Sequence, residues 1–248
     1  MRFLDRDKDH VIQTDFAIAV SWRWLIHTDM ARVIVFHDSM LPRYRGFNPL
    51  VTALINGDRE IGVTALFAAA EYDRGDIIAQ SSSTISYPMK IQEAIEILRG
   101  NYEALAATIG ASLSSGDDLP ARPQDETMAS YSLWRDEEDY FLDWTCPAAH
   151  IKRCIDAMGY PYKGAATMID GRVVRIQDAQ TLPDVQIASR TPGKVIFLED
   201  AKPVVVCGRG PLKITEILDD ETGASGLPLS RFRARFKGST ERGESRPT

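Results

Sequence analysis

Two apolar runs in this chain each lead into a polar cluster, and this constrains the fold more than any other feature of the sequence. Val33-Ile34-Val35-Phe36 runs into His37 and then Asp38-Ser39-Met40-Leu41-Pro42-Arg43-Tyr44-Arg45-Gly46. Val63-Thr64-Ala65-Leu66-Phe67 leads, a few residues on, into Asp73-Arg74-Gly75-Asp76. Apolar runs of this length, bounded by turn residues, read as strands buried on both faces, the kind that parallel α/β sheets use. Such sheets place their chemistry in the loops just beyond the strand ends. The two clusters would therefore meet if the strands are neighbours. Taken alone, a His after a strand is more often a hydrogen-bonded structural residue than a catalytic one.

The surrounding pattern extends the sheet. Residues 15–21 and 32–36 read as buried parallel strands separated by a short helix over 25–30. Residues 48–56 read as a helix, 62–68 and 77–85 as strands, and 89–113 as a long helix. That helix carries Ile91, Ile95, Leu98, Tyr102, Leu105 and Ile109 at steps of four and three, an apolar stripe that faces a core. Residues 114–139 turn polar and Pro-rich, which marks a surface linker and a domain boundary. After a helix over 147–158, short alternating strands follow. Asp170-Gly171 separates two of them as a two-residue hairpin turn, and 194–198, 203–207 and 212–218 are the others. The period of two in 231–237 sets Arg231, Arg233, Arg235 and Lys237 against Phe232, Ala234 and Phe236. It reads as a last strand with a solvated basic face, a phosphate-contacting face being the alternative.

Composition narrows the function classes. The 248 residues are 44% hydrophobic, enough for one good core or two smaller ones. No segment approaches the ~20 apolar residues of a membrane span, and the charged start is no secretion signal, so a cytoplasmic location is expected. Cys146, Cys154 and Cys207 lack close-pair metal spacing and are expected to be free buried thiols, with no metal site. A net charge of -6 argues against nonspecific attraction to nucleic acid.

The series 37–46, Asn48-Pro49, Gly57-Asp58, Gly62-Val63-Thr64 and Asp73-Arg74-Gly75-Asp76 resembles, in order and spacing, the folate-dependent formyltransferases. These act on methionyl-tRNA, on nucleotide sugars or on glycinamide ribonucleotide. The resemblance continues more weakly through Leu142-Asp143-Trp144, residues 160–164 and residues 207–214, which sets the chain apart from the ribonucleotide enzyme, a protein without the second domain. It implies an α/β fold: an incomplete doubly wound parallel sheet followed by a small open β-barrel resembling the oligonucleotide-binding fold. Residues 1–128 would form the catalytic domain, 129–158 a linker and connecting helix, 159–238 the barrel and 239–248 a disordered tail. Members of the family carry roughly 70 further residues ahead of the segment matching Asp15, comprising the opening βαβ units of the sheet. A misplaced start, a truncation or a reduced variant would account for the difference.

The resemblance also implies a site. N10-formyltetrahydrofolate would be the formyl donor, His37 the catalytic base and Asp73 the carboxylate that orients it. Trp22, Trp24, Leu25, Ile26, Ala69, Ala70 and Tyr72 match loops that contact the donor largely through main chain, although the two tryptophans read equally well as core or lid aromatics. Ser39, Leu41, Pro42 and Gly46 would shape the site, and Arg43 and Arg45 would either approach an anionic group or lie solvated. The family reads Asn-x-His, its Asn donating to the developing oxyanion, whereas this chain has Val35. Losing one such donor costs about 2.7–4 kcal/mol of transition-state stabilisation. The expected acceptor is a nucleotide-linked amino-deoxy sugar, with methionyl-tRNA the runner-up. An inactive folate-binding protein and a folate-deformylating hydrolase are further alternatives, and the oligomeric state, a homodimer included, is left open.

Overall fold

The computed structural model describes residues 14–20 and 32–239. The chain divides into two compact units. The first comprises residues 1–49, 60–84 and 97–133, and the second residues 50–59, 85–96 and 134–248.

The first unit is built on four strands in the order β1-β2-β4-β5: β1 (Phe16–Val20), β2 (Arg32–His37), β4 (Glu60–Phe67) and β5 (Ile77–Thr84). The two-residue strand β3 (Arg45–Gly46) lies between β2 and β4 in sequence and belongs to a separate ladder. The expected α/β class and the parallel pairing of β1 with β2 are present. The direction of the later strands is a correction, since β4 runs antiparallel to β2 and β5 antiparallel to β4. An apolar run buried on both faces reads the same in either direction, so the sequence pattern was blind to this. Ile34, Val63, Ala65 and Leu66 are at most 1% exposed. A side chain the size of Leu or Ile buried this way contributes about 1.5–3 kcal/mol.

Side chains alternate across β2, so Ile34 and Phe36 share one face while Val35 and His37 share the other. Helix α2 (Ile91–Ser115) covers the first face: Tyr102 stacks on Phe36 at 5.7 Å between ring centres. The buried stripe of α2 is Ile91, Ala94, Leu98, Leu105 and Ile109, whereas Ile95 lies at its exposed edge. Helix α1 (Pro49–Asn56) starts on a proline, whose missing N–H would be unpaired in a first turn anyway.

Of residues 129–158, expected as a linker and connecting helix, 148–157 do form a helix, while 131–132 are strand. Residues 131–132 form β6 (Tyr131–Ser132), which pairs in parallel with β3 in the first unit. Helix α3 (Ala148–Ala157) lies against strands of the second unit and buries Ile151 and Ile155 there.

The second unit holds a five-stranded antiparallel sheet in the order β7-β8-β11-β10-β9: β7 (Ala165–Ile169), β8 (Arg172–Thr181), β9 (Val195–Glu199), β10 (Lys202–Val206) and β11 (Pro211–Asp219). The β7–β8 hairpin turns on Asp170 and Gly171, both at positive φ. Residues 231–237 form no regular strand. Instead Arg235 bridges Lys194 beside β9 and Lys237 bridges Met168 of β7, so the two edge strands curl toward closure. Ala234 and Phe236 are buried as the alternation requires, but Phe232 is exposed.

None of the helices among the described residues is long and apolar enough to cross a membrane. The stretches 1–13, 21–31 and 240–248 lie outside the description, and with them the expected helix over 25–30 and nearly all of the expected tail.

Candidate active site

His37 closes β2, 8% exposed, on the face away from α2. Its Nε2 lies 2.8 Å from the carbonyl oxygen of Tyr44, an acceptor only, so this nitrogen carries the proton. Its Nδ1 faces the Asp73 carboxylate at 3.4 Å from Oδ1. The other carboxylate oxygen accepts the Gly46 N–H at 2.8 Å. The two polar clusters therefore meet, though not at the carboxyl ends of neighbouring strands. Asp73 stands on the β4–β5 loop, and the register pairing Ile34 with Phe67 starts that loop beside the middle of β2, short of His37. It must double back to reach His37. Gly75 permits this, since a Cβ there would stand 1.7 Å from the Phe67 carbonyl oxygen. Asp73 takes a left-handed φ of 56°, which Asp tolerates better than most residues.

The loop after His37 is held by Thr64, whose hydroxyl donates to the Ser39 carbonyl at 2.6 Å. The same oxygen accepts the Leu41 N–H at 3.1 Å and Gln80 Nε2 at 2.9 Å. One donor and two acceptor sites are the whole capacity of a hydroxyl. Ser39 Oγ donates to the Arg43 carbonyl at 2.6 Å, and the Pro42 carbonyl accepts the Ser130 N–H at 3.1 Å. Leu41 packs with Leu66 and Ile77, and Val35 lies against the same cluster.

Arg45 corrects the expectation that both loop arginines approach a ligand or solvent. It is fully buried. Its guanidinium meets Glu126 at 2.7 and 2.9 Å and Gln124 Oε1 at 2.8 and 3.1 Å. Hydrogen bonding to Arg45 holds the Glu126 carboxyl below the usual carboxylate range. Arg43 is exposed and lies over the Tyr44 ring. Ala69, Ala70 and Tyr72 stand on an exposed stretch, where Tyr72 and Phe47 form an open aromatic pair 6.2 Å apart. Trp22, Trp24, Leu25 and Ile26 lie outside the described residues.

Sequence reasoning missed Gln80, Gln124, Glu126, Ser130 and Tyr131. The one available signal was Thr64 itself, a polar residue inside an apolar run; the others sit in stretches whose composition says only strand or loop.

The second unit holds a cavity of about 230 Å³ lined in part by Arg135, Asp139, Cys146, His150 and Cys154. All three cysteines are free, but only Cys207 is fully buried. Burial pushes the Cys154 thiol up to about 11 and that of Cys207 up to about 12, so neither is a thiolate near neutrality. Among the described residues no three His, Cys, Asp or Glu side chains are grouped to hold a metal ion.

Residues 8–99 match the family described as formyl transferase, and residues 135–225 match the formyl transferase C-terminal domain. The methionyl-tRNA formyltransferase of Thiobacillus denitrificans is 35% identical over 201 residues, a match spanning 80% of this chain and 62% of that enzyme. The chain thus spans about three-fifths of the length of such relatives. HypX from Aquifex aeolicus in complex with tetrahydrofolic acid shares the fold at a TM-score of 0.61 and 22% identity, over 85% of this chain and 36% of that one. An N-formyltransferase from Helicobacter canadensis, in complex with folinic acid and dTDP-3-aminofucose, does so at 0.58 and 16%, over 77% and 66%. Matches to both halves of the family, in order along one chain, make this protein a member of the folate-dependent formyltransferases.

Proposed function

We propose that the chain transfers the formyl group of N10-formyltetrahydrofolate to the primary amine of a nucleotide-linked amino-deoxy sugar. The observation that carries this reading is the buried pairing of His37 with Asp73 at 3.4 Å, where two loops converge on one sheet face. The donor supplies an activated formyl carbon. The protein must remove a proton from the attacking amine and stabilise the oxyanion that forms. The His37 ring takes the amine proton, and Asp73, 3.4 Å from Nδ1, stabilises the cation so formed before the ring returns the proton to the leaving nitrogen. The exposed stretch at Ala69, Ala70 and Tyr72 fits the donor, since its small side chains leave main chain open to a planar ring and Tyr72 offers an aromatic face.

The acidic charge of -6 and the fold shared with the aminofucose-bound enzyme support a small sugar acceptor. The relatives named as methionyl-tRNA formyltransferases favour the second reading, transfer to methionyl-tRNA. Incubating the protein with donor and either a panel of amino-sugar nucleotides or methionyl-tRNA, with mass spectrometry of the products, separates them. A formylated sugar is expected. Product from tRNA alone would overturn the acceptor and leave the reaction intact. His37→Ala should lower turnover by about 10²–10⁴-fold; a variant as active as its parent would remove the mechanism.

A further inference from the structure

We infer that Gln124 is a positioning residue for the proposed reaction, bending the β4–β5 loop so that the Asp73 carboxylate meets His37. The inference rests on that reading for its role in turnover, but its structural half stands without it. The loop leaves the sheet short of His37 and has to return along it, and something must hold it there. Gln124 Nε2 donates to the carbonyl oxygens of both Asp73 and Gly75, at 2.7 and 2.8 Å. Both N–H groups of one amide are thus used on either side of the turn.

The orientation of that amide is not free. Two N–H groups of Arg45 point at its Oε1 and two carbonyls face its nitrogen, so turning the amide over would oppose donor to donor and acceptor to acceptor. Arg45 is fixed in turn by two contacts to Glu126. Asp73 is then held at both ends by consecutive residues. The Arg45 side chain holds its main chain through Gln124, and the next peptide N–H, that of Gly46, holds its carboxylate. Removing any one member leaves buried donors or acceptors unpaired, a larger effect than the loss of one average hydrogen bond.

Gln124→Ala strips Arg45 of an acceptor and is expected to destabilise the fold, so the decisive variant is Gln124→Glu. It keeps the shape and the oxygen that Arg45 requires, but sets a carboxylate oxygen against the two carbonyls. The expected result is a melting temperature lowered less than in Gln124→Ala, KM for the donor within about twofold, and kcat lower by about tenfold or more, the scale of effect that small misplacements of catalytic groups produce. A fall in kcat with KM for the donor held is a split that a merely structural role would not give.

Amide hydrogen exchange at Gly46, whose N–H is bonded to Asp73, reads the clamp without any substrate and should quicken in the variant. Parent-like kcat together with unchanged exchange at Gly46 would overturn the inference. Should the parent itself show no formyl transfer, the proposed function fails, and the Gly46 exchange still decides whether Gln124 positions Asp73.

Discussion

Thr64 commits every hydrogen-bonding site of its hydroxyl to the loop that follows His37. Thr64→Val keeps the shape and removes the hydroxyl, leaving the Leu41 N–H and the Ser39 carbonyl without that partner. A cost of about 1–3 kcal/mol is expected in denaturant unfolding, with a fall in turnover. Val35 bears on the proposed reaction more directly, because it shares the face of β2 that carries His37. Val35→Asn should raise kcat, measured on whichever acceptor the product assay identifies, at the expense of some packing against Leu41, Leu66 and Ile77. Glu126 gives a pH signature. A carboxyl held low by Arg45 adds stability above its unfolded value, about 4.3, and loses it as pH falls through the lowered one. Unfolding curves of the parent and Glu126→Gln should diverge toward neutrality and converge in acid. That His37 and Asp73 could meet was legible in the sequence because each follows an apolar run, whereas their proposed roles came from the family resemblance alone. Gln124 was not legible, since its partners stand about fifty positions away and its own neighbourhood is a polar, Pro-rich stretch that local composition assigns to solvent.

The β4–β5 loop is the element on which the arrangement depends, and Gly75 is its tightest point. Gly75→Ala would push a methyl into the Phe67 carbonyl and should destabilise the first unit by about 1–3 kcal/mol, read as a lower melting temperature, with turnover falling as Asp73 is displaced. Strand positions were legible to within a few residues, as β4 at Glu60–Phe67 against an expected 62–68 illustrates. Strand direction was not. The connection from β2 to β4 is long enough for either a crossover or a return, and burial on both faces erases the alternation that would report a solvent side. Likewise 114–139 reads as linker by composition, yet β6 lies in it and pairs with β3.

At the scale of the whole molecule, the charge of -6 predicts weak binding to polyanions. A plot of log affinity for tRNA against log salt should be shallow, because 35 acidic residues outnumber the 29 Lys and Arg that could displace counterions; a steep slope would point to a local basic surface that the total conceals. The sequence pattern signals a boundary somewhere in 114–139, with the first domain expected to end at 128, whereas the membership of 50–59 and 85–96 in the second unit was not legible, as it depends on contacts between segments far apart in sequence. The ladder joining Arg45 to Tyr131 carries a consequence for the order of assembly. A nascent chain emerges at roughly 5–20 residues per second, so β2 and β4 can pair seconds before Ser132 has been made. Contacts between distant segments also form late in ordinary refolding. Until residues 124–132 arrive, the loop after His37 lacks Ser130 and Asp73 lacks Gln124. A chain cut short before residue 124 would own the sheet, the histidine and the aspartate, and still lack the arrangement that joins them.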